Sequence, residues 1–87
     1  MLESQLKQKV RKKLKKDGYL VVQLIKTSPN GMPDTMALKD GKVMFIEMKR
    51  PGGIVSPLQE VTHQRLRDEG FDVKIWTDYF VNYEQRD

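Results

Sequence analysis

An Asp-Gly pair, Asp40-Gly41, stands between two apolar runs, Thr35-Met36-Ala37-Leu38 and Val43-Met44-Phe45-Ile46, and constrains the fold more than any other feature of the sequence. A type I′ turn needs positive φ at both central residues, so Asp-Gly in this setting predicts a tight hairpin of two antiparallel strands. Register then follows by counting. With Lys39 opposite Lys42, Leu38 faces Val43, Ala37 faces Met44, Met36 faces Phe45, Thr35 faces Ile46 and Asp34 faces Glu47.

Two acids therefore meet at the open end of the hairpin. Opposed Cβ atoms lie about 4.5–5.5 Å apart, and like charges there are destabilising, so the pair calls for a cation. Lys49, two residues beyond Glu47, projects from the same face of its strand. Two carboxylates and an amine at a strand end suit a hard divalent metal held by oxygen ligands. A surface cluster of salt bridges would use the same three residues. The metal reading is favoured by context, because Glu47 and Lys49 end an apolar run expected in the sheet interior, where unpaired charge is costly.

At 87 residues the chain fits one domain, residues 1–87, with a small core to which a partner subunit would add. Sixteen Lys and Arg against twelve Asp and Glu give a net charge of +4 and a pI near 9.4, which favours an anionic partner. Without cysteine, and with one histidine, the chain offers neither a thiolate nor a His-rich metal site, so any metal would be oxygen-bound. No apolar signal segment and no stretch approaching roughly 20 apolar residues is present, so the expectation is a soluble, cytoplasmic protein with no membrane partner.

Leu2, Leu6, Val10 and Leu14 recur every four residues ahead of Gly18 and predict a helix over residues 2–17. Glu3 falls within the apolar stripe, although an acid in a first turn is also favoured by the helix dipole alone. Seven basic residues, Lys7, Lys9, Arg11, Lys12, Lys13, Lys15 and Lys16, follow with no acid among them. Such a one-sign run repels itself and is explained by a nearby phosphate backbone, or else by a solubilising face.

Residues 19–25, rich in β-branched side chains, read as a first strand, closed by the turn formers at 27–31. Gly31 and Pro33 then deliver Asp34 to the sheet at a fixed point. The 50–55 loop lacks the Gly-Lys-Ser/Thr of a phosphate-cradling loop. Ser56-Pro57-Leu58-Gln59 reads as a helix start with a capping box, a structural role sufficient for Gln59. The helix extends to about Glu69, is expected to bury Leu58, Val61 and Leu66, and carries His63 on the flank of that stripe as a half-buried or surface residue. Residues 71–76 form the last strand, with a short terminal helix beyond it through Tyr83. A strand, crossover helix and further strand give a parallel pair attached to the hairpin. The expectation is an α/β domain, α-β-β-β-α-β, with a central mixed sheet flanked by helices.

Glu3, Pro33-Asp34, Glu47-Met48-Lys49 and Gln59, in this order, resemble the motifs of the PD-(D/E)xK nuclease superfamily. Within it, Gly31-Met32-Pro33-Asp34, Phe45-Ile46-Glu47-Met48-Lys49 and Ser56-Pro57-Leu58-Gln59 resemble the VRR-Nuc family of replication and repair nucleases, in the short stand-alone form found in bacteriophages. The resemblance implies a Mg2+- or Mn2+-dependent endonuclease in which Asp34, Glu47 and the Met48 carbonyl bind metal and Glu3 approaches it through water. It further implies that Lys49 orients the attacking water and the scissile phosphate, that Gln59 helps fix the site, and that cleavage leaves a 5′-phosphate. Lys9, Arg11, Lys12, Lys13, Lys15, Lys16 and Arg50 would contact DNA. Stand-alone members resemble Holliday-junction resolvases, which implies a homodimer acting on branched DNA in the host cytoplasm of a phage, with Trp76, Tyr79, Phe80 and Tyr83 available to cover a partner. The alternative is a non-catalytic basic DNA-binding module in which the acids only support the fold. His63 departs from the family by falling one position after the place where many relatives carry a large aromatic.

Overall fold

A computed structural model describes residues 2–50 and 52–77 of the chain. The element order is α1 (Glu3–Lys16), β1 (Leu20–Gln23), β2 (Thr35–Lys39), β3 (Lys42–Met48), α2 (Pro57–Asp68) and β4 (Asp72–Trp76). These strands form one sheet in the order β1-β2-β3-β4, antiparallel across the first three and parallel between β3 and β4. The expected α-β-β-β-α-β architecture is the one observed. The terminal helix, with Tyr79, Phe80 and Tyr83, lies outside the described residues.

The hairpin has the counted register, from Lys39 opposite Lys42 to Thr35 opposite Ile46. Asp40 and Gly41 take φ of 54° and 76°, the positive pair that a type I′ turn demands. Along β3 the alternate residues Met44, Ile46 and Met48 pack with Leu6, Val10 and Leu14 of α1, Ala37 and Trp76 in the main core. The other face of β3 carries Phe45, set edge-on against Phe71 at 5.7 Å, and Glu47, which meets α2. The two helices therefore cover opposite faces, and β3 is buried along most of its length.

Both helices have legible ends. Gln5 accepts from the Leu2 amide at 3.0 Å, and Gly18 follows the last turn of α1 with φ of 96°. At α2, the Ser56 amide donates to Gln59 Oε1 at 3.0 Å, and the Gln59 amide to Ser56 Oγ at 3.2 Å, forming the capping box read from the sequence.

Three packing expectations need correction. Leu58 and Val61 are 53% and 60% exposed, whereas Thr62 and His63 are buried and Leu66 is half-buried. The orientation of α2 is fixed by polar contacts: Thr62 donates to the Asn30 carbonyl at 2.7 Å, and Gly31 lies so close that a Cβ there would come within 2.8 Å of the Leu58 carbonyl. Trp76 is 3% exposed and belongs to the core, so it offers nothing to a partner. The first strand is also shorter than residues 19–25. Its pairing with β2 ends where β2 itself begins, although the Leu24 amide still donates to the Asp34 carbonyl at 2.9 Å.

Candidate active site

The site forms where the β2–β3 ladder runs out. Asp34 directly precedes β2 and follows the buried Pro33, whose backbone Gly31 permits by turning with φ of 88° against α2. Its carboxylate accepts from the Met48 amide at 3.1 Å through Oδ2 and from the Thr35 hydroxyl at 2.8 Å through Oδ1. Glu47 lies on the neighbouring strand and is 4% exposed. Lys49 Nζ stands 3.6 Å from Glu47 Oε2. The three residues of the hairpin motif thus come together.

Met48 contributes backbone geometry. The Lys49 amide donates to the Trp76 carbonyl at 2.8 Å, towards β4, so the preceding residue turns its amide the other way, to Asp34. Amide and carbonyl of one strand residue point to the same side, which turns the Met48 carbonyl to the Asp34 side as well. The Met48 side chain is fully buried in the core.

Charge in this end of the molecule is unevenly satisfied. Lys7 Nζ lies 3.6 Å from Asp34 Oδ2 and 3.4 Å from Glu3, while Arg11 reaches Asp34 Oδ1 at 3.9 Å and donates to Thr35 Oγ1 at 3.1 Å and the Asp34 carbonyl at 3.4 Å. Glu47 is less well served. Its Oε1 is buried and has no hydrogen-bond partner among the described residues. Burial first, and then the Asp34 charge, push the Glu47 carboxyl up to about 7, against the pull of Lys49 and Lys7.

His63, 1% exposed on α2, brings Nε2 to 3.9 Å from Glu47 Oε1, and neither ring nitrogen has a hydrogen-bond partner among the described residues. Burial, with the charges of Arg67 and Lys49, holds the imidazole below its usual pKa while Asp34 opposes them. Burial thus disfavours the charged imidazolium beside Glu47.

The other predicted residues are placed differently. Among the described residues Glu3 is linked to the acid pair through Lys7, and Gln59 uses its side chain in the α2 capping box. Arg11, expected on the nucleic-acid surface, is turned inwards to Asp34 and Thr35, because it borders the buried Val10 stripe and reaches over the start of β2. Lys9, Lys12, Lys15, Lys16 and Arg50 are exposed, and Lys13 is half-buried. Lys7, read from the sequence as part of the basic run, and His63, read as half-buried or on the surface, are site neighbours that sequence reasoning does not place there. The i,i+4 spacing of Lys7 from Glu3 is a usable signal for the first, and no comparable pattern marks the second. No three His, Cys, Asp or Glu side chains converge on a metal-sized position among the described residues.

A mixed sheet between two helices, with an acid pair and a lysine at its open end, defines the α/β nuclease-type domain. The VRR-NUC domain matches residues 1–77. The chain belongs to the VRR-NUC family of nucleases. It is 31% identical over 72 residues to a protein named "Putative nuclease p44" from Acyrthosiphon pisum secondary endosymbiont phage 1, a match that covers 82% of this chain and 77% of the phage protein. A solved VRR_NUC domain structure superposes with a TM-score of 0.83 at 24% identity, covering 97% of this chain and 94% of the other, and shares the fold. Among the described residues no helix is long and apolar enough to cross a membrane.

Proposed function

We propose that this nuclease is a divalent-metal-dependent endonuclease that hydrolyses phosphodiester bonds in DNA, with Mg2+ or Mn2+ as its ion. The observation that carries the reading is the buried Glu47 carboxylate, which stands beside a second acid, Asp34, and has its Oε2 3.6 Å from Lys49. A buried carboxylate held beside a second acid at this cost is accounted for by a cation that both acids share. The donor set also fits a hard ion, since Asp34, Glu47 and the Met48 carbonyl all offer oxygen.

When bound, the ion supplies Lewis acidity, lowering the pKa of water and neutralising charge that builds on the phosphate. The chain's own residues do the rest. Asp34 is held in place by the Met48 amide and the Thr35 hydroxyl, so that its position is set before substrate arrives. Lys49 orients the attacking water and offers its ammonium to the phosphate oxygens as negative charge develops there. Glu3 stands beside Lys7, a place suited to a water-mediated role, and Gln59 fixes the start of the helix that carries His63. Lys9, Lys12, Lys13, Lys15, Lys16 and Arg50 would follow the phosphate backbone outside it, where affinity comes from released counterions.

For the substrate we favour branched DNA, of which a four-way junction is the symmetric case, cut by a homodimer. A two-fold dimer presents one Asp34–Glu47 site to each of two symmetry-related strands, and a domain of 87 residues gains from burying further surface against a second copy. The exposed Leu58 and Val61 on the outer face of α2 supply apolar area for such an interface. The deciding experiment is a cleavage assay with and without Mg2+ or Mn2+ on linear, flap and four-way substrates, with sedimentation of the protein in parallel. Metal-dependent paired incision of the junction by a dimer is expected. A monomer cutting linear duplex equally well would remove the junction reading, and metal-independent cutting would remove the metal reading.

A further inference from the structure

His63 takes no part in the chemistry assigned to Asp34, Glu47 and Lys49, yet it occupies an expensive position. Its ring is 1% exposed and both nitrogens lack hydrogen-bond partners among the described residues. A buried polar group left unpaired costs on the order of 1–3 kcal/mol, and a leucine would fill similar space without that cost. Opposite the ring stands a complementary deficit: Glu47 Oε1 is the buried acceptor without a donor, 3.9 Å from His63 Nε2. The other oxygen of Glu47 faces Lys49 at 3.6 Å. Each carboxylate oxygen thus has one nitrogen near it, Lys49 Nζ beside Oε2 and His63 Nε2 beside Oε1.

A direct ligand role for the imidazole is disfavoured, because no three His, Cys, Asp or Glu side chains among the described residues converge on one metal-sized position. The ring instead backs the carboxylate. A neutral imidazole has one N–H, and placing it on Nε2 sets the donor opposite the oxygen that lacks one. The 3.9 Å separation is about 1 Å longer than an ordinary hydrogen bond. The element presenting the ring is well fixed, through the 2.7 Å bond from Thr62 to the Asn30 carbonyl and the capping box at Ser56 and Gln59.

We propose that His63 is a positioning residue for Glu47, donating from Nε2 to Oε1 in the metal-bound protein and thereby holding Oε2 towards Lys49. The assignment rests on the reading of Glu47 as a metal ligand. A partner that orients a metal ligand in this way is typically worth about 10–100-fold in metal affinity or activity.

The test uses the intact protein without DNA. Calorimetric titration with Mn2+ is run on the wild type, His63→Leu and His63→Gln, with circular dichroism to verify folding. His63→Leu keeps the bulk and loses the donor, so Mn2+ affinity should fall by about 10–100-fold. His63→Gln places an amide donor near the position of Nε2 and should bind close to the wild-type value. A folded His63→Leu protein with undiminished affinity, or equal losses in both variants, overturns the proposal. Nitrogen-15 spectra of the wild-type imidazole with saturating Mg2+ decide the matter even where a variant does not fold: protonation at Nε2 supports the proposal and protonation at Nδ1 overturns it. Wild-type protein that binds no Mn2+ at all would remove the metal reading and this assignment with it, an outcome distinct from failure of His63 alone.

Discussion

The Met48 amide donates to Asp34 Oδ2 at 3.1 Å, one step past the last backbone pair of the hairpin, Thr35 with Ile46. A carboxylate thus takes the place of the next strand carbonyl and satisfies an amide that the end of the ladder would otherwise leave unpaired. The same bond ties Asp34 to the strand that carries Glu47, so the separation of the two acids is governed by sheet geometry.

Asp34→Asn should abolish cleavage and keep the fold, because an amide oxygen can still accept from the Met48 amide. Loss of a ligand should exceed the roughly 10–100-fold typical of losing a ligand's outer partner. Asp34→Ala should in addition destabilise by about 1–3 kcal/mol, since Met48, Thr35, Lys7 and Arg11 all lose a partner. Cleavage assays paired with thermal melts separate the two effects, and a folded Asp34→Asn protein that still cuts would remove Asp34 from the chemistry.

Glu47 should make the metal-free protein less stable as pH rises. Its carboxyl sits at about 7 in the folded chain against 4.5 as a free group. Between those values the folded state binds more protons than the unfolded one, so stability falls with increasing pH. His63, lowered from 6.5, acts with the opposite sign, because around that value the unfolded chain binds the extra proton. The Glu47 contribution is isolated by urea denaturation of wild type and Glu47→Gln in chelating buffer. The variant's relative stability should improve by on the order of 2 kcal/mol between about pH 5 and about pH 8. A gap that does not change with pH would contradict a raised Glu47 pKa.

The outer face of α1 should set the salt dependence of DNA binding. Replacing the exposed Lys9, Lys12 and Lys16 with Gln should reduce the slope of log affinity against log salt by about 0.9 for each duplex phosphate that is no longer neutralised. Arg11→Gln should instead weaken cleavage more than it flattens the slope, because that side chain is committed to Asp34 and Thr35. Fluorescence anisotropy over a salt series tests both statements, and an unchanged slope in the lysine variant means that α1 faces away from the nucleic acid.

Gly31→Ala should be costly for its single added carbon. The residue has φ of 88°, and a Cβ would come within 2.8 Å of both the Leu58 carbonyl and Thr62 Oγ1. Backbone strain of this kind costs on the order of 1–3 kcal/mol, and displacing α2 would move His63 away from Glu47. The melting temperature should fall by at least about 4 °C, and a neutral substitution would show that the loop does not depend on this close approach.

The hairpin is legible to the residue because a two-residue turn leaves no freedom in counting, and the meeting of Asp34, Glu47 and Lys49 follows from the same count. The packing of α2 is not. An apolar pattern predicts the buried face only when that face is apolar, and beside this site it carries Thr62 and His63, while Leu58 and Val61 turn outwards. The basic run on α1 poses a related difficulty. Its composition announces an anionic partner, but which cations bend inward depends on where β2 begins, a tertiary fact that brings Lys7 and Arg11 to Asp34 and leaves Lys12 and Lys16 exposed. Trp76 misleads for another reason: it joins the core cluster formed with Leu6, Val10 and Leu14 of α1, although Asp72 and Ile75 of the same strand are exposed.

The Asp40–Gly41 turn has a practical consequence. It lies at the opposite end of β2 from Asp34, beyond the five strand residues, or about 20 Å away at the usual rise per residue. Lys42 beside it is exposed, and the chain contains no cysteine of its own. A Lys42→Cys substitution therefore gives one attachment point for a fluorophore or a surface tether, placed on the same rigid ribbon as the acids and beyond the reach of their chemistry.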